Sequence, residues 1–306
     1  MKTAEASIEI QQYFLETRDG VTLRYFDADS ARNDDSVPPP ALLWANGLGG
    51  PVIAFEPYLD RLGARYRTLS WDYRGLYGSS NLGPAPRPLS VEAHVEDAIA
   101  VLDRAGVERV IFVGWSMGAQ IGLELARRYP ERLAGLVLVS GAAGRPLEGL
   151  ALPLPTSLLD RMVRNAGLVA PLGQGVLSAA SRFGGTARWL KRMGLVAREF
   201  DEGLLTRMLG HFETIDLRRY MELLEGLCEH DARDALEQLT VPTLVIAGSR
   251  DVITPAKRAR AMAERIRGAE FWLLERATHY AAAEFPAAIA ARIDSFVRAR
   301  VLPGPA

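Results

Sequence analysis

The sequence predicts an α/β protein with a mostly parallel, eight-stranded sheet, helices on both faces of that sheet, and an α-helical insertion. Apolar, strand-like segments alternate with amphipathic helical segments through 1–143 and again through 239–306. Such alternation is typical of parallel strands joined by helices that cover both faces. Between them, 144–238 contains no strand candidate, only helix-like pieces interrupted by glycine and proline. The chain of 306 residues is 48% hydrophobic, so it can bury a core of this size.

The first core segment contains six predicted strands. The first two form a hairpin, because Asp19-Gly20 between them favours a tight turn. Apolar residues at helical spacing predict the helices that join the later strands. The predicted strands are 8–15, 21–26, 41–45, 67–71, 110–113 and 133–139, and the predicted helices lie near 53–63, 90–104 and 119–128.

The insertion and the second core segment complete the predicted order. Helix-like pieces of the insertion lie at 156–163, 204–209 and 217–228. The sheet then resumes with strands at 241–248 and 270–274, with a helix near 256–266 between them and a last helix near 284–299. We therefore expect one α/β core that the chain leaves at about residue 144 and re-enters after about residue 238.

Composition narrows the class of protein. The formal net charge is −1, which argues against nucleic acid as the main partner, because phosphate binding needs a basic surface. The single cysteine, Cys228, excludes an internal disulfide framework and suits a reducing compartment. The N-terminus lacks the apolar stretch of a signal peptide, and no apolar run approaches the ~20 residues of a membrane span. We expect a cytoplasmic protein without integral membrane association.

The strongest functional signal is Gly114-Trp115-Ser116-Met117-Gly118, a G-x-S-x-G motif. An apolar, β-branched segment precedes the motif, and a helical apolar pattern follows it. Strand, motif and helix in this order are the context of a nucleophile elbow, a tight turn that exposes the serine hydroxyl. The glycines leave room for the strand and the helix to pass close together. The motif predicts Ser116 as a nucleophile.

A serine hydroxyl is a weak nucleophile at neutral pH and needs a base, usually a histidine that a carboxylate orients. In this topology the carboxylate and then the histidine follow the serine in chain order, each after a later strand. Of the four histidines, only His279 follows a predicted core strand, and Asp251 follows the strand before it. The predicted catalytic residues are therefore Ser116, Asp251 and His279. Glu275 and Glu284 flank His279, and we interpret both as solvated surface charges.

A tetrahedral intermediate also needs two backbone N–H donors, which form an oxyanion hole. We expect one from Met117, which begins the helix after the nucleophile. The other is expected from Leu48, in the glycine-rich loop after strand 41–45. For Tyr73 and Trp115, packing within the fold competes with a role in the substrate pocket. The candidate pocket residues are Asn46, Gly47, Gly49, Tyr73, Trp115 and Tyr280.

These motifs, in this order, resemble the α/β-hydrolase fold superfamily, in particular its capped serine esterases and lipases. The resemblance covers essentially the whole chain and depends on loop 46–50, segment 72–80, the elbow and the Asp251/His279 pair. It implies a helical cap at 144–238 and a serine hydrolase that cleaves a carboxylic ester, lactone or thioester through an acyl-enzyme. The implied substrate is a small acyl compound, and no cofactor or metal is required.

One position departs from the family pattern. The oxyanion loop of the family usually reads His-Gly-x-Gly, and Asn46 stands here in place of the histidine. Because the donors are backbone groups, the oxyanion hole is expected to survive this change. We expect Asn46 to brace the loop through hydrogen bonds from its side chain to nearby backbone.

The same resemblance leaves other activities open. Carbon–carbon bond hydrolases of ring-cleavage pathways are similar to this chain, but they commonly have Asn where Trp115 stands. Cofactor-free haloperoxidases and perhydrolases share the same three catalytic residues. A ligand receptor with slow turnover is a further alternative from a different class. The sequence predicts neither the acyl-chain length nor the oligomeric state.

Overall fold

The computed structural model describes residues 10–29, 40–83, 88–149 and 185–302. These residues form one eight-stranded sheet in which the strand order is β1-β2-β4-β3-β5-β6-β7-β8. The first two strands pair antiparallel to each other, and β2 pairs antiparallel to β4, whereas all later neighbours are parallel. The strands are Gln11–Glu16 (β1), Thr22–Ala28 (β2), Ala41–Ala45 (β3), Thr68–Trp71 (β4), Val110–Trp115 (β5), Leu133–Val139 (β6), Thr243–Gly248 (β7) and Glu270–Leu274 (β8). The predicted fold class is confirmed.

The central strands are buried on both faces, because successive side chains point to opposite sides of the sheet. In β3, Leu43 and Ala45 belong to one apolar cluster, whereas Leu42 and Trp44 belong to the other. All five residues of β3 are buried. The continuous apolar runs in the sequence therefore reflect a sheet that is covered on both faces.

Helices from different parts of the chain supply the two covering layers. Three helices pack on the face of Leu43: Val91–Arg104 (α1), Met117–Arg128 (α2) and Ala256–Arg265. Their side chains Val95, Ile121 and Met262 are buried there. The C-terminal helix Pro286–Arg300 packs on the opposite face, where Ile289 and Ile293 are buried. The expectation of helices on both faces is thus confirmed.

The helix expected near 53–63 differs from the observed structure. The chain there forms three short pieces: a 3₁₀ turn at Val52–Phe55, a three-residue α-helical turn at Glu56–Tyr58 and a π-helical turn at Leu59–Gly63. Pro57 lies in the middle of this segment. Proline has no N–H to donate, and its ring clashes with the carbonyl four residues earlier, so it is tolerated only in a first helical turn. Pro57 therefore interrupts the helical hydrogen bonds, and one regular α-helix does not form there.

Between β6 and β7 the described residues are helical and contain no strand. The helices are Thr186–Arg192 (α3), Glu202–Phe212 (α4) and Leu217–Glu229 (α5), and the later two helices of the core are accordingly α6 (Ala256–Arg265) and α7 (Pro286–Arg300). We call α3, α4 and α5, with the residues that join them, the insertion. The helix expected at 156–163 lies outside the described residues, and the boundaries at 144 and 238 remain a prediction. Within the described ranges, no helix is long and apolar enough to cross a membrane.

Candidate active site

Ser116 occupies a strained turn between β5 and α2. Its φ of 56° and ψ of −112° fall in a region that L-residues rarely adopt. A side chain on Gly114 would collide with the backbone of Gly118, and one on Gly118 would collide with the carbonyl of Ala45. The N–H of Gly118 donates a hydrogen bond of 3.0 Å to the carbonyl of Asn46. The two motif glycines thus allow strand, elbow and neighbouring loop to touch.

Ser116, His279 and Asp251 form a hydrogen-bonded series at the carboxyl edge of the sheet. Nε2 of His279 lies 2.8 Å from Oγ of Ser116. Nδ1 of the same ring lies 3.0 Å from Oδ2 and 3.2 Å from Oδ1 of Asp251. Asp251 follows β7 and His279 follows β8, so the ends of parallel strands bring together residues that are far apart in the chain. The histidine is thus held between a hydroxyl and a carboxylate.

The Asp251 carboxylate is buried and surrounded by donors. Oδ1 accepts from the backbone N–H groups of Ile253 and Thr254, at 2.9 and 2.8 Å. The hydroxyl of Thr254 lies 2.7 Å from Oδ2 and 2.8 Å from the carbonyl oxygen of Ser140. Sequence reasoning missed Thr254. The available signal was Asp-Val-Ile-Thr itself, because an Asp side chain often accepts from the backbone two residues on.

The glycine-rich loop after β3 directs its carbonyl groups to partners elsewhere in the protein. The hydroxyl of Tyr73 donates to the carbonyl of Asn46, and that of Tyr77 donates to the carbonyl of Gly49 at 2.6 Å. Within the described part of the chain, the N–H groups of Leu48 and Met117 have no hydrogen-bond partner. Two backbone donors near the elbow are therefore free to bind an oxygen atom of a ligand.

The side-chain oxygen of Asn46 does not brace the loop as expected. Asn46 is buried, and its Oδ1 has no hydrogen-bond partner among the described residues. Tyr73 and Tyr77 hold the loop instead. Burial raises the pKa of the Tyr73 hydroxyl well above its usual value, so this group stays protonated and remains a donor. Sequence reasoning missed this pair of contacts because a tyrosine hydroxyl can bond any backbone carbonyl within reach.

The aromatic candidates differ in where they lie. The indole Nε1–H of Trp115 donates a 2.8 Å hydrogen bond to the carbonyl of His279, and Trp115 is buried. Tyr73 is buried against Trp71 and His94. Tyr280 lies beside His279, with 6.0 Å between the two ring centres. Trp115 and Tyr73 thus support backbone near the site, whereas Tyr280 lines a cavity.

That cavity has a volume of about 330 Å³ and contains His279 in its lining. Its described lining is mostly apolar. Leucine, methionine and phenylalanine side chains of α3 and α4 contribute to it, and Val252, Ile253 and Tyr280 contribute from the core. Apart from His279, Arg250 is the one ionisable cation among the described lining residues. Such a cavity suits an apolar group of a bound molecule.

Glu284 does not fit its interpretation as a solvated surface charge. Only 4% of Glu284 is exposed, and its carboxylate accepts hydrogen bonds from Thr278 and from Ala197 of the insertion. No local pattern in the sequence distinguishes this glutamate from an exposed one at the start of a helix. Its partner Ala197 lies 87 positions away, so only the folded chain reveals the contact.

A second cluster of polar side chains lies at the junction of α1, α2 and the end of α5. Glu92, Glu124 and His230 have side-chain ligand atoms within 4.8 Å of one another. Those of Glu124 and His230 are already engaged: Nδ1 of His230 lies 2.6 Å from Oε1 of Gln120, and Glu124 accepts from Arg128 at 2.5 Å. The cluster ties the end of the insertion to the core.

Comparison with known protein families identifies the class of protein. Residues 41–292 match the alpha/beta hydrolase family. The match covers most of the chain and includes Ser116, Asp251 and the loop after β3. The chain belongs to the alpha/beta hydrolase family.

Two relatives and one solved structure are similar over most of the chain. A protein of Stutzerimonas stutzeri named "Putative carbamate hydrolase RutD" is 29% identical over 243 residues, which are 78% of this chain and 84% of the relative. The 3-oxoadipate enol-lactonase 2 of Acinetobacter baylyi is 28% identical over 264 residues, which are 85% of this chain and 89% of the relative. The crystal structure of the enol-lactonase from Burkholderia xenovorans has a TM-score of 0.71 at 24% identity, and the match covers 93% of this chain and 99% of that one. This last likeness shows the fold.

Proposed function

We propose that the protein is a serine hydrolase that cleaves a carboxylic ester or a lactone through an acyl-enzyme. The observation that carries this proposal is the 2.8 Å contact between Oγ of Ser116 and Nε2 of His279, with Asp251 on the other ring nitrogen. This is the hydrogen-bonded arrangement that activates a serine hydroxyl. Membership of the hydrolase family supports the same reading.

In the proposed mechanism, Ser116 is the nucleophile and His279 the base. Oγ attacks the carbonyl carbon of the substrate, and its proton passes to Nε2 of His279. The histidine then gives this proton to the leaving alcohol as the C–O bond breaks, which leaves an acyl-enzyme. Water attacks the acyl group, its proton passes to His279, and the acid is released as the proton returns to Ser116. Asp251 holds the ring in the tautomer that keeps Nε2 free and stabilises the imidazolium.

The N–H groups of Leu48 and Met117 are proposed to bind the oxyanion. Both donors lack a partner among the described residues, and Met117 is the first residue of α2, where the helix dipole favours negative charge. A side chain on Gly47 would lie 3.3 Å from Cβ of Ser116, so the loop passes close to the nucleophile. Loss of one such donor typically costs about 100- to 1,000-fold in rate.

The apolar cavity is proposed to receive the acyl chain, with the insertion acting as a cap. Leu205, Met208 and Phe212 of α4 line the cavity together with His279, which supports a hydrophobic acyl group beside the reacting atoms. One relative is named as a carbamate hydrolase and another as an enol-lactonase. Carbamates and lactones are therefore substrates to test in addition to simple esters.

The test is a hydrolysis screen with p-nitrophenyl esters from acetate to palmitate, extended by an enol-lactone, an aryl carbamate and a dienol ketone. We expect ester or lactone turnover in the wild type and a loss of at least about 1,000-fold in Ser116→Ala. Fluorophosphonate labelling of the wild type and not of Ser116→Ala is the matched control. A wild type that neither hydrolyses these esters or lactones nor labels would overturn the proposal. Cleavage confined to the dienol ketone would instead indicate a carbon–carbon bond hydrolase.

Acidification provides a second test of the base assignment. Protonated His279 cannot accept the proton of Ser116, so turnover is expected to fall as the medium becomes acidic. A rate that does not fall on acidification, in the range where the protein stays folded, would contradict the role of His279.

A further inference from the structure

Glu284 joins the insertion to the backbone next to His279. Its Oε1 accepts from the backbone N–H of Ala197 at 2.7 Å and from the hydroxyl of Thr278 at 2.6 Å. Its Oε2 accepts from the backbone N–H of Thr278 at 2.8 Å. Thr278 directly precedes His279, and Ala197 lies in the insertion between α3 and α4. One buried carboxylate thus binds both sides of the same junction.

The carboxylate has neutral donors and no salt bridge among the described residues. Burial raises the pKa of Glu284, the donors of Thr278 and Ala197 oppose this rise, and the negative charge of Glu199 reinforces it. A buried polar group is costly unless its hydrogen bonds are satisfied. An apolar side chain of similar size would leave the N–H groups of Ala197 and Thr278 and the Thr278 hydroxyl without this acceptor, so both sides of the junction depend on the carboxylate.

The segment that Glu284 holds is also a wall of the cavity. Gly194, Leu195 and Val196 line the cavity, and Ala197 follows them directly. Thr278, His279 and Tyr280 line the same cavity from the core. Glu284 therefore connects the segment that follows this apolar wall to the residue that precedes His279.

A second contact crosses the same junction but is exposed to solvent. Arg276 forms an ion pair with Glu199, and the Arg276 side chain is 63% exposed. Exposed ion pairs contribute little because water and salt screen them. The buried carboxylate of Glu284 and this exposed pair thus provide a matched comparison at one junction.

We propose that Glu284 is a positioning residue that docks the insertion onto the His279 loop and so sets how deeply the cavity accepts an acyl chain. The role of His279 and the nature of the substrate rest on the proposed function. The docking contact itself depends only on the geometry of Glu284, Ala197 and Thr278.

Glu284→Gln is the informative variant because it keeps the size of the side chain. A carboxamide offers one acceptor oxygen, whereas two N–H groups and one O–H group point at the two oxygens of Glu284. The NH₂ group of Gln must then face a backbone N–H, so the contact with Ala197 or that with Thr278 is lost. Thr278→Val is the second variant. It removes the hydroxyl, which donates to Glu284 and accepts from the N–H of Tyr280 at 3.3 Å, and it leaves the N–H groups of Ala197 and Thr278 in place.

The first measurement is hydrogen exchange of the full-length chain over 194–200. In Glu284→Gln we expect exchange in this segment to rise by about tenfold or more, which corresponds to the loss of one hydrogen bond to a charged group. Glu199→Gln, the exposed control, is expected to exchange like the wild type. Unchanged exchange in both Glu284→Gln and Glu284→Leu, which has no acceptor oxygen, would overturn the docking contact, whether or not the protein hydrolyses esters.

The second measurement is the ratio of kcat/KM for p-nitrophenyl octanoate to that for p-nitrophenyl acetate. This ratio does not depend on the folded fraction, so a purely structural role would leave it unchanged. We expect Glu284→Gln to lower it by about tenfold, mostly through KM, and Thr278→Val to lower it less. Raised exchange with an unchanged ratio would overturn the positioning role. A wild type without any activity would refute the proposed function, while the exchange data would still decide on the docking contact.

Discussion

The indole Nε1–H of Trp115 donates a 2.8 Å hydrogen bond to the carbonyl oxygen of His279 across 164 positions of the chain. Trp115 precedes Ser116, so the residue next to Ser116 holds the backbone of His279, whose ring contacts the Ser116 hydroxyl. The bond is buried, and Trp115 packs against Tyr280 with 5.8 Å between the ring centres. This hydrogen bond therefore holds the turn at Ser116 and the backbone of His279 in a fixed relative position.

Trp115→Phe removes this bond and keeps an aromatic ring. We expect kcat for the best ester to fall by about three- to tenfold, because a buried hydrogen bond contributes about 1 kcal/mol and the His279 loop loses its anchor. Trp44→Phe is the matched control, since Nε1 of Trp44 has no partner among the described residues. Equal kcat values for the wild type and Trp115→Phe, at equal fluorophosphonate-titrated concentration, would contradict this role.

Thr254→Val removes the hydroxyl that lies 2.7 Å from Oδ2 of Asp251. We expect kcat to fall by about tenfold, because a hydrogen bond to a carboxylate contributes about 1.5–3 kcal/mol and the Asp251 side chain becomes less well held. Thr254→Ser keeps the hydroxyl and should retain most of the activity. The rate of fluorophosphonate labelling measures the same effect on Ser116, and full labelling speed in Thr254→Val would count against it.

Met208→Trp fills part of the cavity. Met208 is buried on α4 and lines the cavity, so a larger ring should shorten the space for an acyl chain. Excluding two methylene groups costs about 1.6 kcal/mol, so kcat/KM for octanoate should fall about tenfold or more relative to acetate. Met208→Leu, of similar volume, is the control. If the ratio of kcat/KM for octanoate to that for acetate is the same in Met208→Trp as in the wild type, the acyl group does not bind beside Met208.

Gly118→Ala tests the close approach behind the elbow. The added Cβ would collide with the carbonyl of Ala45, which lies at the end of β3 just before the glycine-rich loop. We expect either no soluble protein or a loss of kcat of about 100-fold, comparable with the loss of one oxyanion donor. At Gly210, on α4, a Cβ would meet no atom within 4 Å. Gly210→Ala should therefore be neutral or stabilise the fold by up to about 1 kcal/mol.

Glu270 predicts a specific pH dependence of stability. Its hydrogen bond with Arg292, and then that with Arg300, lowers the pKa of Glu270 below 4.5, against the effect of burial. A carboxyl whose pKa is lowered by folding stabilises the native state above its unfolded pKa, and this contribution disappears as the pH falls through the folded value. Glu270→Gln should therefore lower Tm at about pH 7, and the difference from the wild type should vanish well below pH 4.5. Thermal scans across this range test it, and a difference that stays constant with pH would refute it.

Much of the architecture follows from local patterns. Strands β6 and β8 have the predicted bounds, and the predicted helices near 90–104 and 256–266 agree with α1 and α6 to within a residue. These segments combine a clear hydrophobic period with turn residues at their ends. The prediction of one helix near 53–63 was wrong for a reason that is also local, because Pro57 interrupts a pattern that otherwise has the helical period.

The side chains around the site could be predicted only in part. Ser116, Asp251 and His279 could be selected because motif, chain order and strand ends restrict the candidates, and the folded chain brings these three together. Glu284 could not be selected, because its one partner in the insertion, Ala197, lies 87 positions away and no periodic pattern relates the two residues. Thr254 does have a local signal, its position three residues after Asp251, but its hydroxyl takes part in no predicted chemical step.

The sequence by itself determined the alternation of strands and helices, the strained turn at Ser116 and the order of the three candidate catalytic residues. These features depend on residue periodicity, on glycine geometry and on chain order, all of which can be read along the chain. The tertiary structure alone decided that Trp115 anchors His279, that Tyr73 and Tyr77 hold the loop of Asn46, and that Glu284 is buried beneath the insertion. These contacts join distant segments, and hydrogen-bond partners at such separations are chosen by packing, which no local pattern specifies.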